Sequence, residues 1–333
     1  MAHISGGTPT AFALLVVNYG SSNLLEENLQ GLELKAAGGR IVIVDNFTSA
    51  TELARLNVLA TRYGWSVLAL ESNRGFGAAV NTGAAVALSE GAQALAVLNP
   101  DARIDTGDLV ALVCAVAAEA TLMAAPLIRT SSGEVWFDGM DLYSASGRVA
   151  SRRRPLPDAP HQPWLSGACF AISGQMWRTV GGFDEDYFLY WEDVDLSRRV
   201  VSHGGRLAVL REISAVHDPG GTQTGVSGEG TKSEIYYFYN IRNRLLYGAK
   251  HVQGKEFRSW IYATPKVSYE ILCRGGRRQL LRSPAPLRAY VRGILSGLVR
   301  AREIRTRAPE KQLRRTSPAS GAGAVISGTL GNR

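Results

Sequence analysis

The chain has 333 residues, 45% of them hydrophobic and 8% aromatic, enough for one large α/β domain with an appendage and too apolar for wholesale disorder. The longest apolar stretch, Leu109 to Ile128, is broken by Glu119, which excludes an ordinary membrane span. Three scattered cysteines suit neither a disulfide framework nor a zinc site, and no basic region precedes the apolar run at Phe12, so the expected address is the cytosol. The net charge is +8, but Ile271 to Ser320 alone carries +11, leaving −3 on the remainder: the basic character belongs to one end and not to the fold.

Apolar runs at Phe12–Val17, Ile41–Val44, Ser66–Leu70 and Ala94–Leu98 alternate with helical spacing over Ser21–Lys35, Ala50–Tyr63 and Phe76–Glu90. Short continuous strands alternating with amphipathic helices predict an α/β fold with a mostly parallel central sheet flanked by helices. Thr48-Ser49 with Glu52 downstream reads as a helix start. Next come a helix over Thr106–Ala120, a strand over Leu122–Ile128 and hairpin strands within Val135–Val149. Arg152–Pro163 reads as a loop, Trp164–Ile172 as a strand, Val194–His203 as a helix and Leu207–Leu210 as a strand. The Gly/Ser/Thr-rich stretch Asp218–Lys232 reads as a mobile loop, a candidate lid. Helices are expected over Glu234–Lys250, Glu256–Leu272 and Pro286–Ile304. The resulting organisation is a domain over residues 11–250, a basic amphipathic helical extension over 251–304 and a disordered tail over 305–333.

Ligands of open parallel sheets bind beyond the carboxyl ends of the strands. There the chain carries Asn18-Tyr19-Gly20-Ser21, Asp45-Asn46, the stretch from Glu71 to Gly77, and Asn99-Pro100-Asp101. A dinucleotide G-x-G-x-x-G after the first strand is absent, as is a P-loop, which weakens NAD and ATP readings. The oxygens of Asn99 and Asp101 suit a hard divalent cation, although an ordinary Asn-Pro-Asp turn has the same residues. The segment from Gly181 to Arg199 packs six carboxylates into twelve residues among five aromatics. Asp195 and Arg199 are spaced for a structural ion pair, leaving Glu192 and Asp193 at a helix mouth, where a carboxylate beside aromatic walls can serve as general base. His217 closes a short strand ahead of a glycine-rich loop and is a candidate metal ligand.

These pieces, taken in order, resemble glycosyltransferase family 2 enzymes of GT-A fold, in particular the bacterial rhamnosyltransferase-like branch. The matching residues are Val16-Val17-Asn18-Tyr19, the stretches Val44–Ser49 and Asn73–Asn81, Leu98–Asp101, Gly181–Glu185 running into Glu192–Leu196, and His217. The resemblance spans roughly residues 11–250 and implies a nucleotide-diphospho-sugar transferase with a basic helical C-terminal extension. It implies a donor site of Asn18, Tyr19, Asp45, Asn46, Asn73, Arg74, Gly75, Phe76, Gly77, Asn81, Asn99 and Asp101, with Asp45 reading the nucleobase and Arg74 facing phosphates. Asp193 is similar to the family's catalytic base. Trp164, Ser166, Gly167, Trp191, Glu192 and Arg242 fall on the acceptor side. Asp101 and His217 would hold Mg2+ or Mn2+ on the diphosphate; Asn99 stands where the family's D-x-D element begins, as is common in this branch.

The implied reaction is an inverting, metal-dependent transfer of a sugar, rhamnose from dTDP-rhamnose, to a hydroxyl of a lipid-linked or polysaccharide acceptor in cell-surface glycan synthesis. Leucines among the C-terminal arginines point to an anionic membrane surface, and hence to a peripheral position on the inner face of the cell membrane. No base-reading motif accompanies them, so nucleic acid is not an expected partner; self-association is left open. Two competing readings are a sugar-phosphate nucleotidylyltransferase, for which Asn18–Ser22 lacks the expected glycine-rich basic loop, and a non-catalytic membrane-associated scaffold.

Overall fold

A computed structural model describes residues 10–156, 160–218 and 232–316, with side chains as far as residue 307. Strands β1 (Phe12–Asn18), β2 (Gly39–Asp45), β3 (Ser66–Ala69) and β4 (Ala94–Leu98) alternate with helices α1 (Ser22–Leu29), α2 (Ala50–Tyr63) and α3 (Phe76–Ser89). Then come β5 (Ala102–Ile104), α4 (Thr106–Ala118), β6 (Leu122–Arg129), β7 (Val135–Phe137), β8 (Met140–Tyr143), β9 (Arg148–Ser151), β10 (His161–Trp164) and β11 (Cys169–Ser173). The chain continues through α5 (Gly174–Val180), α6 (Glu192–Ser202), β12 (Arg206–His217), α7 (Glu234–His251), α8 (Gly254–Cys273), α9 (Arg277–Arg282) and α10 (Ala285–Thr316).

The main sheet runs β3-β2-β1-β4-β11-β6-β12-β5, with β7 beside β6, and β10-β8-β9 form a separate small sheet. β1 through β4 pair in parallel, as expected, and are nearly all buried at β1 and β4 because helices cover both faces. β11 breaks the parallel order: it runs antiparallel to both β4 and β6. Its first residue, Cys169, therefore sits opposite Leu98, at the edge where β4 ends. β12 is parallel to β6 and antiparallel to β5, so its last residue, His217, lies opposite Ala102 at that same edge.

Several elements differ from the sequence expectation. The helix expected over Ser21–Lys35 stops at Leu29, before Gly31, and a separate 3₁₀ turn covers Lys35–Ala37. The single strand expected over Trp164–Ile172 is divided between the small sheet and the main sheet by Leu165–Ala168. Arg152–Pro163 ends in β10 and not wholly in a loop, and β12 extends from Arg206 to His217 through a bulge between Leu210 and Ser214. The start of α2 is half the expected motif: Ser49 Oγ accepts from the Glu52 N–H at 3.1 Å. The Glu52 carboxylate reaches elsewhere, accepting from Ser22 N at 2.8 Å and Ser22 Oγ at 3.0 Å, and so caps α1 from another helix. The tail expected from Arg305 is helical through Thr316, consistent with its Arg, Ala, Glu and Lys content. Residues 317–333, and all but the ends of the Asp218–Lys232 loop, lie outside the described residues.

The C-terminal helices pack onto the domain. A small-residue stripe on α10 (Ala289, Gly293, Gly297, Ala301) is buried. A Cβ on Gly293 would stand 3.0 Å from Phe238 O, and one on Gly297 2.7 Å from Leu245 Cδ1, so α10 and α7 are in backbone-close contact. The large apolar residues of α10 (Leu287, Val291, Leu295, Leu298 and Val299) face outward. Among the described residues no helix is long and apolar enough to cross a membrane. Replacing Gly297 with Leu should overpack this crossing at a cost of about 1–3 kcal/mol, and thermal unfolding followed by circular dichroism should show a melting temperature lower by several degrees.

Candidate active site

The topology delivers four chain segments to one sheet edge. β1 and β2 end level with each other, Asn18 opposite Asp45. Asn18 Nδ2 donates to Asp45 Oδ1 at 2.8 Å, and Asn18 Oδ1 accepts from Ser21 N at 3.0 Å. Asn18 is fully buried, so it braces Asp45 and does not line an open pocket. Burial raises the pKa of Asp45, the Asn18 bond working against it and Glu52 adding to it. Beside this pair, Tyr19 and Phe47 are exposed aromatics, 52% and 40%, and Phe47 has a left-handed φ of 42°. Phe47, inside the matched stretch Val44–Ser49, is a donor-side candidate that the sequence reading passed over.

After β4, Asn99 N donates to Ala168 O at 2.9 Å, which joins the Asn99-Pro100-Asp101 turn to the residues preceding β11. Next to Ala168, Gly167 N donates to Asp193 Oδ2 at 3.0 Å, while Asp193 Oδ1 accepts from Val194 N at 2.8 Å. Two hydrogen bonds thus connect the Asp101 turn to the Asp193 carboxylate. On the other side of that turn, His217 Nε2 lies 3.1 Å from Asp101 Oδ1, both residues buried. Trp136 covers the His217 ring edge-on, with centroids 4.4 Å apart, and its proximity had no signal in the sequence. A cavity of about 200 Å³ adjoins, lined in part by Asn28, Asp101, Arg103 and Asp218.

The donor set of Asp101 and His217 fits a divalent cation. The 3.1 Å between the two donor atoms is close to the ~3 Å edge between adjacent ligands at bond lengths of about 2.1 Å. His217 Nδ1 is buried with no hydrogen-bond partner among the described residues. Two protein ligands leave the remaining positions to substrate oxygens and water; no group of three or more His, Cys, Asp or Glu able to hold a metal exists among the described residues.

The segment leading to Asp193 is built from residues in rare conformations. Tyr190 and Trp191 have φ of 65° and 76°, two consecutive non-glycine residues in the left-handed region, each costing roughly 1–2 kcal/mol. That turn opens α6, whose first bond runs from Asp195 N to Trp191 O at 2.9 Å. The acids around it are sorted by their partners. Burial opposes the charge of Asp195, but His251 at 2.6 Å and Arg199 at 2.7 Å outweigh it and hold its pKa below the usual range. Burial likewise opposes Asp186, and Lys250 with Arg300 outweighs it. Asp193 is half-buried and meets main-chain donors only; burial raises its pKa to about 6 against the pull of the Gly167 and Val194 N–H groups. Glu192 is buried, with Oε2 unpartnered among the described residues; burial and then the Asp193 charge push its pKa well up. Burial thus raises both adjacent carboxyls, Asp193 to about 6.

Other expected site residues have interior duties. Asn46 Nδ2 donates to Asn73 Oδ1 at 2.9 Å, and Asn46 Oδ1 accepts from Arg74 N, a clip between strand ends. Asn81 holds the acidic segment through Phe183 N and O, and Arg74 pairs with Glu185 across exposed surface. Phe76 packs edge-on against Phe183, and a Cβ on Gly77 would meet the Phe183 side chain. Gly75, at φ 89°, admits the backbone of Phe188, whose carbonyl accepts from Phe76 N at 3.0 Å. On the acceptor side, Trp164 stays half-buried with its Nε1 unpartnered among the described residues, and Ser166 Oγ accepts from Ala168 N. Three placements are corrections. Trp191 is buried in an aromatic cluster with Tyr187, Tyr247 and Trp260, because its left-handed backbone turns the ring inward, and Glu192 is buried too. Arg242 donates to Asp186 O and to Asn243, bracing the acidic segment.

The sequence model of Glycosyl transferase family 2 matches residues 14–177. Over this stretch the chain belongs to glycosyltransferase family 2. Its similarity to an N-acetylglucosaminyl-diphospho-decaprenol L-rhamnosyltransferase of Mycobacterium tuberculosis is 32% identity over 139 residues, 36% of this chain and 45% of that protein. A dTDP-rhamnosyl transferase of Shigella flexneri is 23% identical over 228 residues, 66% of this chain and 75% of that one. In three dimensions the chain is similar to GalNAc-T7 with UDP, GalNAc and Mn2+, at a TM-score of 0.52, 16% identity, and coverage of 81% of this chain and 59% of that one. The fold is therefore the expected GT-A architecture, with the antiparallel β11 in its sheet.

The contrast between the adjacent carboxyls is testable. Because burial and the Asp193 charge both disfavour the ionised form of Glu192, Glu192→Gln should retain the fold and most turnover. The rate of the native enzyme should rise with pH through about 6 as Asp193 loses its proton, and a pH–rate profile flat between 5 and 7 would contradict this.

Proposed function

We propose that the protein is an inverting glycosyltransferase that moves a sugar, rhamnose from dTDP-rhamnose, onto a hydroxyl of a lipid-linked or polysaccharide acceptor. The observation that carries the reading is the Asp193 carboxylate, anchored to Gly167 N and joined through Ala168 and Asn99 to the Asp101–His217 pair. Rhamnose is favoured by the names of the two curated relatives. The family match favours sugar transfer over nucleotidyl transfer.

The acceptor hydroxyl places its proton on Asp193 while its oxygen attacks the anomeric carbon. The bond from that carbon to the diphosphate breaks, and its electron pair leaves with the nucleoside diphosphate. One displacement inverts the carbon without an enzyme nucleophile. Gly167 N and Val194 N aim the carboxylate, and burial keeps it basic enough to accept a proton near neutrality. Asp45, braced by Asn18, together with Tyr19 and Phe47, offers the base and ribose of the donor a polar group and aromatic faces. Asp101 and His217 would hold Mg2+ or Mn2+, which when bound offsets the negative charge of the departing diphosphate.

The outer face of α10 supports an acceptor presented at a membrane. Leu287, Val291, Leu295 and Val299 project outward among Arg288, Arg292 and Arg302, an apolar ridge fringed by cations suited to the surface of an anionic bilayer. On α9, Leu281 is also 89% exposed. The ridge supports a peripheral position on the inner face of the cell membrane.

Two measurements test the proposal. Asp193→Asn should lower transfer from dTDP-rhamnose by about 100-fold or more while thermal-shift titration finds donor affinity nearly unchanged; loss of donor binding instead would assign Asp193 elsewhere. In co-sedimentation, the native protein should bind phosphatidylglycerol vesicles and not phosphatidylcholine ones, and Leu295→Glu with Val299→Glu should abolish binding while leaving turnover on a soluble acceptor intact. Equal binding by that variant would remove the ridge from the contact.

A further inference from the structure

The amide of Asn243 sits in the centre of α7 with no exposure to solvent. Its Nδ2 donates to two consecutive main-chain carbonyls of the acidic segment, Leu189 O at 2.9 Å and Tyr190 O at 2.8 Å. Its Oδ1 accepts from Arg242 Nη1 at 2.5 Å, and that same nitrogen reaches Asp186 O at 3.3 Å. The carbonyls it holds belong to the turn in which Tyr190 and Trp191 are both left-handed. In a right-handed helical turn such carbonyls would find N–H partners four residues on; here Trp191 O is the first to do so, through Asp195 N. A buried carbonyl without a donor is costly, and one side-chain amide supplies a donor to each of the two that precede it. Two residues beyond Trp191 stands Asp193.

We propose that Asn243 is a positioning residue for the reaction: its amide locks the left-handed Tyr190–Trp191 turn and thereby fixes the entry of α6 and the aim of the Asp193 carboxylate at the acceptor. This rests on the reading of Asp193 as the general base. Only an uncharged side chain with two donors and the length of asparagine meets both carbonyls from this site on α7. Asp cannot donate when ionised, and Ser can serve one carbonyl alone. The donor-side residues Asp45, Tyr19 and Phe47 stand on other elements, so the lock acts on turnover more than on donor binding.

The test compares Asn243→Ala, Asn243→Ser, Tyr190→Gly and the pair Tyr190→Gly with Asn243→Ala, each in the full chain, by kcat and donor KM. Glycine adopts a left-handed φ without strain and needs less holding. Asn243→Ala should lower kcat about 100-fold with donor KM within about two-fold. Asn243→Ser should fall between it and the native enzyme, and serves in its place where Asn243→Ala does not fold. Tyr190→Gly alone should keep kcat within about three-fold, and adding it to Asn243→Ala should restore kcat about ten-fold. A loss confined to KM, or a double variant no better than Asn243→Ala, overturns the positioning role. Asp193→Asn assayed in parallel separates this from the underlying reading. If Asp193→Asn is active, the base assignment fails; if it is dead while Asn243→Ala turns over normally, only the positioning role fails.

Discussion

Crowded carboxylates cannot all remain charged in a poorly solvated place, and this constraint shapes the region from Gly181 to Arg199. Asp184 and Asp186 are held by Lys250, Asp186 also by Arg300, and Asp195 by Arg199 and His251. Every one of these partners except Arg199 lies on α7 or α10. With those acids neutralised by partners, Glu192 and Asp193 are left to burial, which raises their pKa against the opposing pull of main-chain N–H groups. A cation beside Asp193 would have lowered its proton affinity and weakened it as a base. The distribution of basic residues over the C-terminal helices therefore decides which acid is chemically useful.

That distribution also changes the meaning of the C-terminal helices. Read from composition, residues 251–304 form an appendage. In the fold, α7 and α10 lie in backbone-close contact, and Arg300 reaches from α10 to Asp186 at 3.0 Å. Trp260 of α8 is wholly buried and donates to Ser144 O, while the buried Arg244 of α7 stacks over its ring and bonds Thr264 Oγ1. Burial pulls the Arg244 pKa down to about 9. A side chain desolvated to that degree belongs to a core, and the helices are accordingly part of the enzyme's scaffold. α10 joins two roles: Ala289, Gly293, Gly297 and Ala301 with Tyr290, Ile294 and Ile304 pack on the scaffold, while Leu287, Val291, Leu295 and Val299 face outward.

The parallel half of the sheet was legible because its strands are continuous apolar runs ending in polar clusters, and α2 spans Ala50–Tyr63 as expected because Ser49 caps it locally. Asp101 and His217 were legible as candidates by residue type, and β12 brings them together. What was not legible depends on partners distant in the chain. The amides of Asn46, Asn73 and Asn81 look free in a sequence, yet each is occupied by residues 27 to 104 positions away. Trp191 reads as an acceptor-side aromatic in the sequence, and its left-handed φ and its burial show only in the fold. Asn243 stands in a helix 53 residues beyond the carbonyl it serves, and no local pattern distinguishes an amide that holds a turn from one that faces water.

The antiparallel strand is the least expected element and the one that completes the site. In a purely parallel sheet every strand contributes its C-terminal residues to the ligand-binding edge, and the free main-chain N–H groups that precede a strand lie at the opposite end. β11 enters in the other direction, so the residues before it, Gly167 and Ala168, arrive at the edge where β4 ends. Ala168 offers its carbonyl to Asn99, and Gly167 offers its N–H to Asp193. A Cβ on Gly167 would lie 3.6 Å from both Asp193 Cβ and the Phe76 ring, an ordinary contact, so glycine is not demanded there by space. What the position supplies is a main-chain donor at a fixed place, which orients a carboxylate without giving it a neighbouring cation. One reversed strand thereby sets the spacing between the Asp193 carboxylate and the Asn99-Pro100-Asp101 turn.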